Sequence, residues 1–261
     1  MNPWKLPFYF LRLGALNELQ YRVNFFLQLL QSLIALGVGL VSLSLVFEHT
    51  AELAGWSRPE LLAVMGVHIL MGGVIKATIE PNMQRMLGDI QDGTLDHTLT
   101  KPADAQLLIS VREFRIWQLV DVVMGAIVLG WALAELKQDV GLLQALAFGA
   151  ALLLGGLMIY AFWLIISTGA FWVVRMDQIA ELFQGVFAAG RWPVGIYPDW
   201  LRASLTFIIP VAFAVTIPAE ALTNRLDAPT LLLTAALSAA FLGFARWFFY
   251  RGLRNYSGAS A

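Results

Sequence analysis

The sequence alternates between long apolar runs and short polar segments. A transmembrane α-helix needs about 20 consecutive, predominantly apolar residues, and several runs reach that length with few charged side chains inside them. The pattern predicts six membrane spans, at residues 24–47, 61–79, 116–136, 142–174, 179–189 and 231–250. A polar stretch, residues 80–115, separates the second span from the third.

Prolines interrupt the apolar chain between the last two spans. Residues 190–226 contain Pro193, Pro198, Pro210 and Pro218, and a proline inside a helix kinks or ends it. At membrane depth, non-helical backbone is tolerated only where it is buried in protein or lines a cavity. We therefore expect residues 200–222 to form a re-entrant pair of short helices that follows the fifth span.

The first 22 residues have a different pattern from the spans. Phe8, Leu11, Ala15 and Leu19 recur at helical spacing, with charged residues elsewhere on the surface. This pattern predicts a helix lying in the membrane interface; the alternative is a short disordered lead-in. The charges also stand too close together for the apolar core of a cleavable signal peptide.

Composition supports a membrane protein. Hydrophobic residues make up 59% of the 261 residues and charged residues only 13%, against about 25% charged in soluble globular domains. Mean hydropathy is +0.70. The net charge of −1 gives no basic signal for nucleic acid, and the absence of cysteine excludes disulfides and thiolate metal sites. The fold class expected is all-α integral membrane, with one transmembrane domain over residues 1–261.

The distribution of lysine and arginine orients the chain. Cytoplasmic loops of membrane proteins carry the excess of these residues. With both termini in the cytoplasm of a cell, the inner face holds eleven lysines and arginines. The outer face then holds five: Arg58, Lys137, Arg191, Arg202 and Arg225. We therefore expect a multi-pass protein of the cell membrane with cytoplasmic termini.

The polar segment after the second span contains a compact helix signal. Thr94 can cap a helix start, and Asp96 suits the positive end of the helix dipole. Leu95 and Leu99 share one helix face, and Pro102 ends the helix. The alternative is an ordinary solvated loop with one helical turn.

Two motifs, in this order, carry a family resemblance. The first is Asp92-Gly93-Thr94-Leu95, followed by Leu99 and Pro102. The second is Gly190-Arg191-Trp192-Pro193, then Pro198-Asp199-Trp200-Leu201, then Pro210. Together they resemble the ABC-2-type permeases, the membrane subunits of a class of ATP-binding-cassette exporters. Pro193 stands one place early and Ile209 replaces the usual asparagine, which leaves the subfamily and the substrate open.

The resemblance implies roles for two segments. Residues 84–113 would be a cytoplasmic coupling loop that docks on the ATPase through Asp92, Gly93, Thr94, Leu95, Asp96 and Leu99. Residues 190–226 would be an extracellular hairpin that gates the path, with Pro193, Pro198, Trp200, Pro210 and Glu220. Glu220 is the candidate polar group of this gate; the alternative is a solvated loop carboxylate.

The resemblance also implies partners. Two permease chains, identical or paralogous, would enclose a path lined by the first, second and fifth spans, and a cytoplasmic ATPase dimer would drive it. No G-x-x-x-x-G-K-[ST] motif is present, so ATP and magnesium are expected on the partner and no cofactor on this chain. The few fixed charges favour a hydrophobic or amphipathic cargo, such as a lipid, glycolipid or drug.

Charged and histidine residues inside the spans are expected to be structural. Lys76 can pair with Glu80 four residues on or extend toward the interface. Asp121 and Glu181 can pair with arginines near the cytoplasmic ends, Arg115 or Arg175. His68 is expected to be a buried imidazole with its hydrogen bonds satisfied, and the three histidines stand too far apart for one metal site.

Two other classes of membrane protein would leave different signals in the sequence. An integral membrane enzyme acting on lipid needs paired acid and base residues, or metal ligands, at one membrane face, and the sequence shows no such cluster. A secondary transporter predicts inverted repeats, and none is evident. Under the exporter hypothesis, substitution of Leu95 or Asp96 is expected to uncouple ATP hydrolysis from transport without unfolding the chain.

Overall fold

The computed structural model describes residues 22–137, 140–172 and 179–256, and the regular elements of this part are all helical. The α-helices are α1 Arg22–His49, α2 Arg58–Val74, α3 Glu80–Gln91, α4 Asp96–Leu99, α5 Ala105–Ser110, α6 Leu119–Leu136, α7 Leu142–Thr168, α8 Ile179–Phe187, α9 Asp199–Ala203, α10 Ile217–Leu222 and α11 Ala228–Leu253. π-Helical segments lie at Ile75–Ile79, Ser204–Ile208 and Ala212–Thr216, and 3₁₀ turns at Ile116–Gln118, Gly169–Phe171, Ala188–Arg191 and Val194–Ile196.

Five helices are long and apolar enough to cross a membrane. They are Val23–His49, Arg58–Gln91, Ile116–Leu136, Leu142–Phe171 and Ala228–Leu253. These helices confirm a multi-pass, all-helical membrane protein. They contain the first, second, third and last predicted spans and residues 142–171 of the fourth. The predicted interfacial helix at residues 1–22 lies outside the described residues, except for Arg22.

The second span is longer than predicted. Helix continues from α2 through the π segment Ile75–Ile79 into α3, so residues 80–91 are helical rather than loop. A π turn leaves a carbonyl without its usual helical partner, and here the Arg115 amide donates to the Ala77 oxygen at 3.0 Å. The Asn82 side chain exchanges two hydrogen bonds of 2.8 Å with the Glu113 backbone. Polar residues can therefore be buried in this extension.

The fifth predicted span, residues 179–189, is short in the described part. α8 has nine residues, which is about 14 Å of helix, and the 3₁₀ turn Ala188–Arg191 follows it. A bilayer core is about 30 Å thick. The described residues of this run are therefore too short for a full crossing.

Two helical arms, Asp199–Ile208 and Ala212–Leu222, meet at 79° around Pro210. This bend agrees with the pair of short helices that the prolines predict. The second arm is buried against α7 so closely that a Cβ added at Gly155 would overlap the Phe213 carbonyl. The first arm exposes Trp200, which is 70% accessible. By shape, the pair fits a re-entrant loop or a span broken at its middle.

Glycines also allow close contact between α2 and α6. A Cβ added at Gly73 would lie 2.7 Å from the Val122 nitrogen, and one at Gly66 would lie 2.9 Å from the Leu129 nitrogen. α1 is peripheral by comparison and exposes a continuous apolar face: Phe26, Leu30, Ile34, Val38, Val41 and Leu45. An exposed face of this kind in a membrane span is covered by lipid or by another chain.

Candidate functional site

The turn after α3 is the first candidate site. Asp92 ends α3, and Gly93 has φ +68°, a left-handed conformation that glycine adopts without steric cost. The Asp89 carbonyl then accepts the amides of Thr94 at 2.9 Å and Leu95 at 3.2 Å. A short helix, α4, follows this turn.

The predicted cap of this helix is wrong in its detail. Leu95 occupies the N-cap position of α4, and no side chain caps it. The Thr94 hydroxyl instead donates to Asp89 Oδ1 at 3.4 Å. Asp96 does lie in the first turn of the helix, as expected. The turn is therefore closed by Asp89, which the sequence pattern did not single out.

Burial separates the predicted coupling residues into two groups. Leu95 is fully buried, and Leu99 packs partly buried against the same core. Their shared face therefore contacts the protein itself. The exposed residues of the turn are polar: Asp92, Thr94, His97, Thr100 and Lys101. A partner bound at this end of the molecule would meet that polar edge, with Asp96 half-buried beside it.

A largely buried ion pair fixes the turn. Arg112 Nη1 lies 2.5 Å from Asp89 Oδ2, with side-chain exposures of 16% and 14%. The same nitrogen donates to the Thr98 hydroxyl at 3.0 Å. These contacts join the end of α3, helix α4 and the chain after α5. The only hint in the sequence is that Asp89 and Arg112 carry opposite charges in one polar segment. Their spacing of 23 residues does not fit a helix or a strand, so it does not predict that they pair.

Asp104 ties the same segment to α11. It caps α5 by accepting the Leu107 amide at 3.0 Å, and it accepts from Arg246 and Tyr250, each at 2.9 Å. Partial burial acts to raise the pKa of the Asp104 carboxyl. The Leu107 amide, Arg246 and Tyr250 outweigh burial and hold that pKa below its usual range. Asp104 is therefore ionised and paired at neutral pH.

A second candidate site is a polar cavity of about 190 Å³ between α1, α2, α6 and the α8 segment. Its polar walls come from separate elements of the chain, and glycine and apolar side chains complete it. The polar residues that line it are Ser32, His68, Lys76, Asp121, Gln184 and Arg191. The first, second and fifth predicted spans, which were expected to line the path, all contribute to this cavity.

Asp121 is the best-satisfied group of the cavity. The Ser32 hydroxyl donates to its Oδ1, Gln28 donates to its Oδ2 at 3.3 Å, and the Lys76 ammonium lies 4.0 Å away. Among the described arginines, the predicted partner Arg115 instead donates to Gln84. The pairing expected for Asp121 is therefore wrong for Arg115, and Arg175 lies outside the described residues.

Lys76 does not pair with Glu80. The Glu80 carboxylate is buried and accepts from the side-chain amides of Gln84 at 3.1 Å and Gln184 at 2.5 Å. The ammonium of Lys76 lies instead toward Asp121, in the wall of the cavity. Lys76, in the π segment that follows α2, therefore lies at the cavity, and the Glu80 carboxylate beyond it accepts hydrogen bonds from amides.

His68 and Arg191 differ from their predicted settings. The His68 ring stacks on the Phe187 ring, with 4.7 Å between the ring centroids. Its buried Nδ1 has no hydrogen-bond partner among the described residues, so the prediction that its hydrogen bonds are satisfied is wrong. Arg191, expected in an outer loop, lines the cavity. Within the part of the chain that the structure describes, no ion pair engages its guanidinium.

The predicted gate residues do not converge on one point. Pro193 and Pro210 are buried, whereas Pro198 and Trp200 are exposed. Beside Pro210, Val211 packs against Gly190, so the tip of the bent pair adjoins the polar cavity. The sequence predicts that these residues form one gate. In the structure, only Pro193 and Pro210 lie near the end of the bent pair that adjoins the cavity.

The far end of the bent pair is fixed by Arg225. Its guanidinium makes two hydrogen bonds to Glu60, at 2.9 and 3.0 Å, and one to the Gly55 carbonyl at 2.6 Å. It also lies 4.5 Å from the centre of the Trp56 ring. The predicted gate residue Glu220 lies at this end, where its backbone oxygen accepts the Arg225 amide.

No group of three potential metal ligands occurs among the described residues.

The chain matches a protein-family model. The family, described as ABC-2 family transporter protein, matches residues 33–260. Comparison with curated proteins and with solved structures gives no significant match. The family match covers both motifs, the turn after α3, the bent pair and all of the residues that line the cavity except Ser32.

Proposed function

Because the chain belongs to the ABC-2 family of transporter proteins, we propose that this permease exports a hydrophobic or amphipathic cargo with energy from a separate ATPase dimer. The observation that carries the proposal is the exposed polar turn after α3, held by the Asp89–Arg112 ion pair. A docking site must keep its shape while its surface stays free for a partner, and this turn meets both conditions.

The helix attached to the turn supplies the means of coupling. Arg58–Gln91 is a continuous helical element of 34 residues, about 51 Å long. It begins beside Arg225, lines the polar cavity and ends at the turn. Movement of the turn by an ATPase would therefore move a wall of the cavity. Asp92, Thr94 and Asp96 would contact the ATPase, while Gly93, Leu95 and Leu99 would shape the turn.

The exposed face of α1 supports a second permease chain, identical or paralogous. We place the cargo path beside that face, at the polar cavity, with the bent pair as the gate on the far side from the ATPase. In this arrangement the chain lies in the cell membrane with cytoplasmic termini. ATP and magnesium are bound by the partner, and the permease contributes no catalytic site of its own.

Affinity purification in mild detergent, with mass spectrometry of the bound chains, tests the proposal. We expect the wild-type permease to retain a P-loop ATPase. The double variant Asp92→Lys with His97→Glu should lose it, because both side chains are exposed on the turn. Glu135→Lys, an exposed charge change at the end of α6, should retain it. A permease that purifies alone, even after cross-linking in membranes, would refute the proposal.

A further inference from the structure

The polar cavity has more cationic than anionic groups available to a ligand. Two cations, Lys76 and Arg191, line it together with one carboxylate, Asp121. That carboxylate already accepts from Ser32 and Gln28, so its charge is stabilised without a ligand. Arg191 has no such counterpart among the described residues.

Charges inside membrane helices are costly, and they face cavities or bind partners where they occur. His68 lies ten residues into the Arg58–Gln91 helix, about 15 Å from its start, and Lys76 lies about 27 Å from it. The buried Nδ1 of His68, which has no hydrogen-bond partner within residues 22–137, 140–172 and 179–256, adds an unsatisfied polar atom within this helix. Hydrogen bonds to a charged partner would repay these costs.

We propose that the polar cavity binds the anionic group, a phosphate or a carboxylate, of an amphipathic cargo. The inference rests on the proposed transport function and names its substrate class. Lys76 and Arg191 supply the positive charge, and Asp121, which accepts from Ser32, lies 4.0 Å from the Lys76 ammonium on the cavity side. The His68–Phe187 stack forms the wall beside them.

The size of the cavity separates the head of the cargo from its apolar part. A volume of about 190 Å³ equals the share of about six water molecules in the liquid. It holds a phosphate or carboxylate with a few further atoms, but not an acyl chain. The apolar part must therefore lie outside, and α1 offers an apolar surface there: Ala35 lines the cavity and is exposed, and Val38, on the same helix face one turn further on, is exposed as well.

Ligand binding to the full-length permease in an uncharged maltoside detergent tests this inference. The probes are dodecyl phosphate, dodecyltrimethylammonium and inorganic phosphate. We expect dodecyl phosphate to bind at least about 10-fold more tightly than the other two, because only it offers both an anion and an apolar tail. Removing one charged partner should weaken its binding by about 10-fold or more.

The variants are Lys76→Gln and Arg191→Gln, with Lys76→Arg as the conservative replacement that retains binding. Arg58→Gln, an exposed arginine on the same helix as Lys76, is the matched control and should bind like wild type. Equal binding of the cationic amphiphile, or wild-type affinity in both glutamine variants, would overturn the proposal. Equally tight inorganic phosphate would overturn the amphipathic class and identify a small-anion site.

This binding experiment needs no ATPase, so it separates the two proposals. Selective binding of dodecyl phosphate to a chain without an ATPase partner would support the anion site and refute the exporter. Recovery of the ATPase with no selectivity for dodecyl phosphate would support the exporter and refute the anion site.

Discussion

The turn after α3 and the polar cavity each bring charged side chains together beside the same long helix, Arg58–Gln91, but the charges are paired in the turn and largely unpaired in the cavity. In the turn, Asp89 and Arg112 pair at 2.5 Å, and Asp104 is held by Arg246 and Tyr250. In the cavity, Lys76 lies only at 4.0 Å from Asp121. Arg191 has no ion-pair partner among the described residues.

This difference distinguishes structural charges from functional ones. A buried charge that has a partner loses stability when the partner is removed, because an uncompensated charge remains. A charge without a partner inside a membrane protein stays destabilising unless a ligand supplies the opposite charge. Substitution of the paired charges of the turn should therefore change stability, whereas substitution of the cavity cations should change binding.

Truncating one cation in each region tests the comparison most directly. Arg112→Ala leaves the Asp89 carboxylate buried and unpaired, and we expect it to lower the free energy of unfolding by about 3–5 kcal/mol. Arg191→Ala should leave stability unchanged or raise it. Thermal unfolding of both variants in detergent checks this expectation. Equal destabilisation by the two substitutions would show that Arg191 is structural.

An exposed pair provides the control for Arg112. Arg85 and Glu113 also form an ion pair, but their side chains are 50% and 37% exposed. Exposed pairs contribute about 0–1 kcal/mol, so Arg85→Ala should change stability far less than Arg112→Ala. A similar loss in both variants would mean that burial of the Asp89 pair is not the cause.

Substitution of Leu95 should have a smaller effect, and it distinguishes residues that shape the turn from residues that would contact the ATPase. The sequence predicted that its substitution would uncouple transport while the fold stayed intact. Because Leu95 is fully buried, Leu95→Ala should instead cost about 3 kcal/mol of stability. Asp96→Asn, at a half-buried position, should leave the unfolding temperature near wild type and lower only ATPase coupling. A stable Leu95→Ala protein would contradict the buried setting.

The long spans were predictable because length and apolar composition are local properties of the sequence. The bend at residues 209–211 was predictable from prolines for the same reason. The extension of the second span to Gln91 was not predictable, because it depends on a distant partner. The buried Asn82 side chain is satisfied by hydrogen bonds to Glu113, 31 residues away. A polar residue whose partner is distant resembles a loop residue in the sequence.

In the candidate sites, too, local features were predictable from the sequence and long-range contacts were not. The turn at Gly93 was found from its motif, but Asp89 and Arg112 became partners only through the fold. In the cavity, Ser32 and Asp121 meet across 89 residues. Arg191 was assigned to the outer face because it follows the fifth predicted span, and its place in the cavity wall with Lys76 depends on how α8 packs. Sequence patterns thus identified the segments, and tertiary contacts determined which charges meet.

Acid titration of Asp104 is the smallest expected effect and extends the comparison to paired charges at the edge of the turn. Arg246 and Tyr250 help to hold the pKa of Asp104 below its usual range in the folded chain. The contacts therefore add stability above the unfolded pKa, about 3.9, and lose it as pH falls through the lower folded pKa. Because the pair is partly exposed, the loss should stay below about 1 kcal/mol. Unfolding measured from pH 6 to pH 3 should show a shallower decline in Asp104→Asn than in wild type, and an identical decline would show that other carboxylates set the acid limit.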